Sequence, residues 1–244
     1  MRLATFILLF FAAFSGAHGQ VLIGNRAGLG MYQQRIEADK ELPSYFTEGL
    51  TTLAAPTITV PIDVRFSRFF GLLIEPGFVQ RGSRTESDGY SSTERVNSIE
   101  LALLAKGTME FGRWTPYILA GPSVTRPLTV RIAYTTTTGN GNNDEEATAT
   151  ADDFASYERS YVSLFAGAGV AFSIGAPRLF LDYRAMWGLT PVQRGDLTDV
   201  NGSVLRSIEI FDRGHVISIG WSIPLSRTAW RATPAPVTPT VPAP

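Results

Sequence analysis

Between residues 161 and 189 every second position is apolar. Val162, Leu164, Ala166, Ala168, Val170, Phe172 and Ile174 are followed, after Gly175-Ala176-Pro177, by Leu179, Leu181, Tyr183, Ala185, Trp187 and Leu189. The positions between hold Ser163, Gly167, Gly169 and Ser173 in the first arm and Asp182 and Arg184 in the second. Successive strand side chains point to opposite faces, so this pattern predicts a two-faced antiparallel hairpin with a tight turn. Each arm runs about ten residues or more. That exceeds the roughly five or six of a soluble strand and approaches the nine to eleven or so that a tilted strand needs to cross a bilayer.

The same alternation predicts the other strands. Residues 21–32 set Ile23, Ala27, Leu29 and Met31 against Gly24, Arg26, Gly28 and Gly30. Residues 57–66 set Ile58, Val60, Ile62, Val64 and Phe66 against Asp63 and Arg65, and residues 70–81 set Leu72, Ile74 and Phe78 against Glu75, Gly77 and Arg81. Pro76 removes one ladder donor there. Residues 96–110 alternate Ile99, Leu101, Leu103 and Ala105 with Glu100, Lys106 and Glu110. A fifth strand, 114–134, is broken by Pro116, Pro122 and Pro127, and its faces stay unassigned. The hairpin supplies strands six and seven, and Ile217, Ile219, Trp221, Ile223 and Leu225 mark the eighth. Segments 33–55, 82–93, 135–155 and 191–207 are polar and long, the first with room for a short helix, whereas 67–69, 111–113 and 175–177 are short turns.

Long and short connections thus alternate strictly. The expected fold is all-β: an eight-stranded antiparallel up-and-down transmembrane β-barrel with four long exterior loops and three short periplasmic turns. The competing fold is a soluble periplasmic lipocalin-like binding barrel, which shares the strand number but has no need for every second connection to be tight.

Composition sharpens this picture. Arg2, an apolar run over residues 3–14 and the small residues Ala17 and Gly19 give residues 1–19 the form of a signal peptide, with a run too short for a spanning helix. The barrel then occupies 20–225. Residues 226–244, with Pro234, Pro236, Pro239, Pro242 and Pro244, read as a disordered periplasmic tail dispensable for folding. Cysteine is absent, so closed backbone pairing rather than disulfides must hold an exported fold. The net charge of -1, with Lys40 and Lys106 the only lysines, speaks against a nucleic-acid partner. Outer-membrane lipid is the expected partner, with other envelope proteins reached through loops or tail.

On the polar faces Arg26, Arg65, Arg81, Lys106 and Arg184 balance Asp63, Glu75, Glu100, Glu110 and Asp182. With the apolar faces toward lipid, these ten side chains form a structural charge network in a lumen just wide enough for side chains to fill. Matched signs are what such an interior requires. Aromatic residues gather at strand ends, as interface girdles do. Phe66, Phe69, Phe70, Phe111, Trp114, Phe172 and Phe180 lie by the short turns. Tyr32, Tyr161 and Trp187 lie by the long connections, and Trp221 completes the set of expected membrane-interface residues.

Residues carrying catalytic or ligand chemistry are scarce. His18 and His215 are the only histidines, so metal sites of His/Cys type are absent and a triad has one candidate base at most. Asp144-Glu145-Glu146 and Asp152-Asp153 lack the twelve-residue calcium pattern and read as solvated loop. The expectation is no enzyme, no cofactor and no metal.

Several segments also carry a resemblance: LLIEPGFVQRG at 72–82, IELALLAK at 99–106, TPYILAGP at 115–122, AGAGV at 166–170 and LFLDYRAMWGL at 179–189. In this order they resemble the outer-membrane β-barrel domain common in Bacteroidota, labelled porin-family or PorT-like, over about residues 21–225. The resemblance implies an outer-membrane barrel and a link to type IX secretion. It implies no activity. The chain departs from the family by continuing past Leu225 into the Pro-rich segment. Two functions follow as expectations. One is a structural or interaction barrel within an envelope or secretion assembly. The other is a narrow passive pore or hydrophobic-ligand transporter.

Overall fold

A computed structural model describes residues 20–38, 50–87, 90–138, 141–150, 156–198 and 204–225. The expected signal peptide, residues 39–49 of the first long connection and the Pro-rich tail lie outside the described residues. Among the described residues twelve strands form: β1 (Gln20–Ala38), β2 (Leu50–Thr51), β3 (Leu53–Thr59), β4 (Ile62–Arg65), β5 (Phe70–Ser87), β6 (Tyr90–Thr108), β7 (Trp114–Thr138), β8 (Gly141–Thr150), β9 (Tyr161–Ser173), β10 (Arg178–Gly188), β11 (Gln193–Thr198) and β12 (Val204–Pro224). They make one antiparallel sheet. Its circuit runs from β1 through β3 and β4 to β5, β6, β7, β9, β10 and β12. The sheet closes where β12 pairs with β1, from Leu22↔Pro224 to Ala38↔Ile208.

Twelve strand segments are described where eight strands are expected, for two reasons, although the closing circuit passes through eight positions when β3 and β4 are counted together. The strand expected over 57–66 starts earlier, at Leu53, and is broken at Val60-Pro61, where proline cannot donate to the ladder. In addition, much of the expected loop sequence is strand. β5 and β6 stay paired out to Ser87↔Tyr90. β7 continues to Thr138 and returns as β8, and β11 pairs with the start of β12. These extensions are rich in Thr, Ser and Asn, and Thr suits a strand well. Without lipid on one side they carry no apolar alternation, so their polarity resembles that of loops.

The faces of the fifth predicted strand now resolve. On β7, Trp114, Ile118 and Val124 are exposed, while Thr115, Tyr117, Leu119, Ser123 and Thr125 are buried. The register then shifts, Ser98 facing Pro127 and Asn97 facing Thr129. The extra residue, Leu128, inverts the alternation, and Val130 becomes buried. Polarity across the wall is the inverse of a soluble protein's. Leu29, Ile58, Phe78, Ile99, Ile118, Leu181 and Ile219 are exposed outside, while Arg26, Glu75, Arg81, Asp182 and Arg184 are buried inside. An apolar core of Leu73, Leu104, Leu119, Phe165 and Met186 shares the interior with them.

Three aromatics expected at the membrane interface instead point inward. Tyr32 and Tyr161 are buried, and Phe180 packs against the interior core. Tyr32 shares the face of Arg26, Tyr161 that of Ser163, and Phe180 that of Asp182, so strand alternation places all three inside. The Tyr32 ring fits because Gly30 and Gly214 flank it; a Cβ at either would overlap the ring. Phe66, Phe69, Phe70, Phe111 and Trp114 are exposed at the short-turn end. Phe172 is half-buried against Trp114, their ring centroids 4.7 Å apart, and Trp187 and Trp221 are exposed on the outer wall.

Candidate functional site: the charged interior

The interior is organised in three levels, each built by side chains from several strands. At the middle level Arg184 of β10 reaches across to Glu75 of β5, its Nη2 donating to Oε1 at 3.1 Å while Nη1 pairs with Oε2. The same guanidinium donates from Nε to Asp182 Oδ1 at 3.0 Å. Arg26 of β1 donates to Glu75 Oε2 at 2.8 Å and to Ser218 Oγ at 2.6 Å. Ser218 in turn donates to Asp182 Oδ1 at 2.7 Å, and Tyr117 donates to Asp182 Oδ2 at 3.0 Å. Two cations and two anions, all buried, thus share one network whose lone pairs are well used. A buried ion cluster tolerates nothing less.

Toward the extended strand ends, Arg81 of β5 pairs with Glu100 of β6 and donates to Tyr161 Oη at 3.0 Å. Its guanidinium lies 5.6 Å from the centroids of both the Tyr32 and Tyr161 rings. Tyr161 donates onward to Asp212 Oδ2 at 3.1 Å, and Thr125 donates to Glu100 at 3.0 Å. Above this level, Gln34 and Gln193 both donate to Glu94 Oε1, at 3.0 and 3.2 Å.

Toward the short turns, Lys106 of β6 donates to Asp63 Oδ2 at 2.7 Å and sits 4.3 Å from the Tyr117 ring centroid. Arg65 donates to Glu110 Oε1 at 3.1 Å. Glu110 is not a buried member of the network: its side chain is 48 % exposed, because β6 ends at Thr108 and the alternation ends with it. The cavity at this level is small, about 20 Å³, and is bordered by Asp63, Arg65, Lys106, Arg178 and Asp182 among others. That is room for about one water. Asp63 Oδ1, Arg65 Nε and Arg178 Nη1 make no hydrogen bond there, although Arg65 Nε lies 3.8 Å from Asp63 Oδ2 as an ion pair.

Nine of the ten predicted charges therefore lie buried, brought together in these levels. Among the participants that the sequence reading did not place in the interior are Asp212, Glu94, Tyr32, Tyr117 and Tyr161. Asp212 was findable, since it shares alternation with Gly214, Val216 and Ser218 and falls just before the expected start of the last strand.

Chemically, the arrangement neutralises and fills. Every buried carboxylate faces a cation or a hydroxyl donor, and among the described residues no group of three or more His, Cys, Asp or Glu could hold a metal ion. His215 stands on the outer wall, bonded to Tyr183 at 2.6 Å. On the extension, Glu146 of β8 accepts from Arg131 of β7 at 2.6 Å, and this hydrogen bond holds its carboxyl below the ordinary value. The acidic run expected as loop is thus strand.

A family model described as outer membrane protein beta-barrel domain matches residues 17–194. Among solved structures, OprG from Pseudomonas aeruginosa is 10% identical, with 84% of this chain and 95% of that chain covered at a TM-score of 0.50, a likeness in fold. A major outer membrane protein from Thermus thermophilus is 11% identical, covering 85% and 99% at a TM-score of 0.45. The outer membrane protease OmpT from Escherichia coli is 11% identical, covering 84% and 95% at 0.36. No curated protein matches the sequence. The chain with the apolar outer wall and the ion-paired interior belongs to the outer membrane protein beta-barrel domain family.

Proposed function

We propose that this barrel is a structural and interaction protein of the outer membrane. It is not a catalyst, and its lumen is closed by its own side chains. The observation that carries the proposal is the three-level ion network, with a cavity of only about 20 Å³ beside it. A permeant ion would have to displace Arg184 from Glu75 and Asp182 in a buried setting, which costs several kcal/mol. In keeping with short periplasmic turns and long exterior ends, the paired extensions of β5 to β8 stand outside the cell and offer strand edges and polar faces to other envelope proteins. Membership of the Bacteroidota PorT-like group and a place in a secretion assembly belong to the same proposal.

Planar-bilayer recording of the purified chain tests it. No steady conductance is expected from the native protein, and Glu75→Ala combined with Arg184→Ala should open one. Steady ohmic conductance of the native chain would overturn the reading in favour of a narrow pore. One observation favours a transport role: β3 pairs with β5 only at Thr57–Thr59 and β2 only at Leu50–Thr51, which leaves the ladder between them interrupted.

A further inference from the structure

On the outer wall, where β10, β12 and β1 run side by side, the surface is hollowed into a groove of about 350 Å³. Its borders are Met31, Gln33, Thr52, Trp187, Arg213 and His215. The hollow arises from missing side-chain volume, for the small Ala185 stands opposite His215 on the outer face of the β10–β12 ladder. Below it, toward the short turns, the wall is apolar: Leu29, Leu181, Ile217 and Ile219 are exposed. Above it the outward residues are Arg35 and Glu37, which pair with each other. The groove therefore straddles the border between the acyl belt and the polar zone.

Its charge is unbalanced. Arg213 is exposed, and among the described residues it makes no ion pair and no carboxylate lines the groove. Outward acids nearby are engaged elsewhere, Glu37 by Arg35 and Glu209 by Arg194. His215 Nδ1 is hydrogen-bonded to Tyr183 Oη, and in the tautomer in which the tyrosine donates, Nε2 carries the ring proton and is a second donor to the groove. An unpaired guanidinium at the edge of a hydrocarbon layer is costly without an anion, and its planar fork suits a phosphate bidentately. Trp187 places an amphipathic ring at the same height, where such rings are favoured.

We propose that this groove binds a phosphorylated glycolipid of the outer leaflet. Arg213 and His215 hold its phosphate, and an acyl chain lies against Met31 and Trp187. A free phosphate would use only the upper, polar half of the groove and leave the apolar half empty. The assignment to the outer leaflet rests on the proposal that the strand extensions face outward. Protease cleavage of the β7–β8 extension on intact cells checks that orientation separately.

The binding test is a titration of the folded chain in detergent with lipid A, dephosphorylated lipid A and inorganic phosphate, read by native mass spectrometry. Lipid A should bind the native chain at least about tenfold more tightly than its dephosphorylated form, the scale of one charge-assisted contact. Arg213→Gln should lose about the same factor. Arg126→Gln, which removes another exposed arginine without an ion pair among the described residues, should bind as the native chain does. Trp187→Ala should weaken lipid A several-fold. Equal affinity for the two lipid forms overturns the proposal even if Arg213→Gln does not fold. Equal losses in Arg213→Gln and Arg126→Gln, or phosphate alone binding as tightly as lipid A, would also overturn it.

Discussion

Replacing Glu75 by Leu removes the carboxylate on which two buried guanidinium groups converge. Arg184 loses both of its contacts to that side chain and Arg26 loses its 2.8 Å bond, leaving Asp182 as the single counter-charge for two cations. The middle level goes from neutral to one net positive charge in a buried setting. Breaking a buried ion pair in this one-sided way costs about 3–5 kcal/mol. The double variant Glu75→Leu/Arg26→Leu restores neutrality, since Arg184 keeps Asp182 at 3.0 Å. It should recover more than half of the loss, a coupling that a double-mutant cycle reads directly. The assay is denaturant unfolding in detergent micelles, followed in parallel by tryptophan fluorescence and by the mobility shift on boiling. If Glu75→Leu lies within about 1 kcal/mol of the native chain, or if the double variant is as unstable as the sum of the singles, the middle level is not the electrostatic unit described here.

Two further outcomes are expected. Because the Arg131 hydrogen bond holds the Glu146 carboxyl below its ordinary value of 4.5, the pair supports the β7–β8 extension fully above about that pH and loses this support as the pH falls through the lowered value. Amide protection factors in that extension should drop between pH 6 and pH 3 while those of the barrel stay constant, and Glu146→Gln should abolish the difference. Gly214→Ala puts a Cβ 2.5 Å from Tyr32 Cδ1 and 2.8 Å from the Met31 carbonyl oxygen, an overpacking worth about 1–3 kcal/mol. The temperature at which the folded gel band disappears should fall, and Tyr32→Ala should relieve part of the drop.

Where lipid faced one side of a strand, the alternation assigned inside and outside residue by residue. Arg26, Glu75, Glu100, Asp182 and Arg184 lie on the face that their spacing indicates. The reading weakened wherever that contrast disappeared. Beyond the lipid, both faces of a strand are polar, so the ends of β5, β6 and β7 and all of β8 looked like loop. Leu128 inverted β7 by a single inserted residue, which no period-two pattern can register in advance. Tyr32, Tyr161 and Phe180 were assigned by position near a strand end and by amphipathic chemistry, although alternation pointed the other way. Interior tyrosines are needed here for a physical reason: a narrow charged lumen wants bulky groups that also donate hydrogen bonds, and Tyr117 and Tyr161 donate to Asp182 and Asp212.

The junction of β12 with β1 bears on how the molecule is made. The residues it joins, Leu22 with Pro224 onward to Ala38 with Ile208, come from opposite ends of the described chain, so this is the least local pairing in the sheet. Contacts of such high sequence separation are slow to form. During synthesis and export, β1 waits with an open edge until the final strand arrives, and nothing earlier in the sequence can substitute for it. A chain cut short before β12 would therefore yield a sheet with two bare edges rather than a smaller barrel, a substrate for aggregation and for quality-control proteolysis.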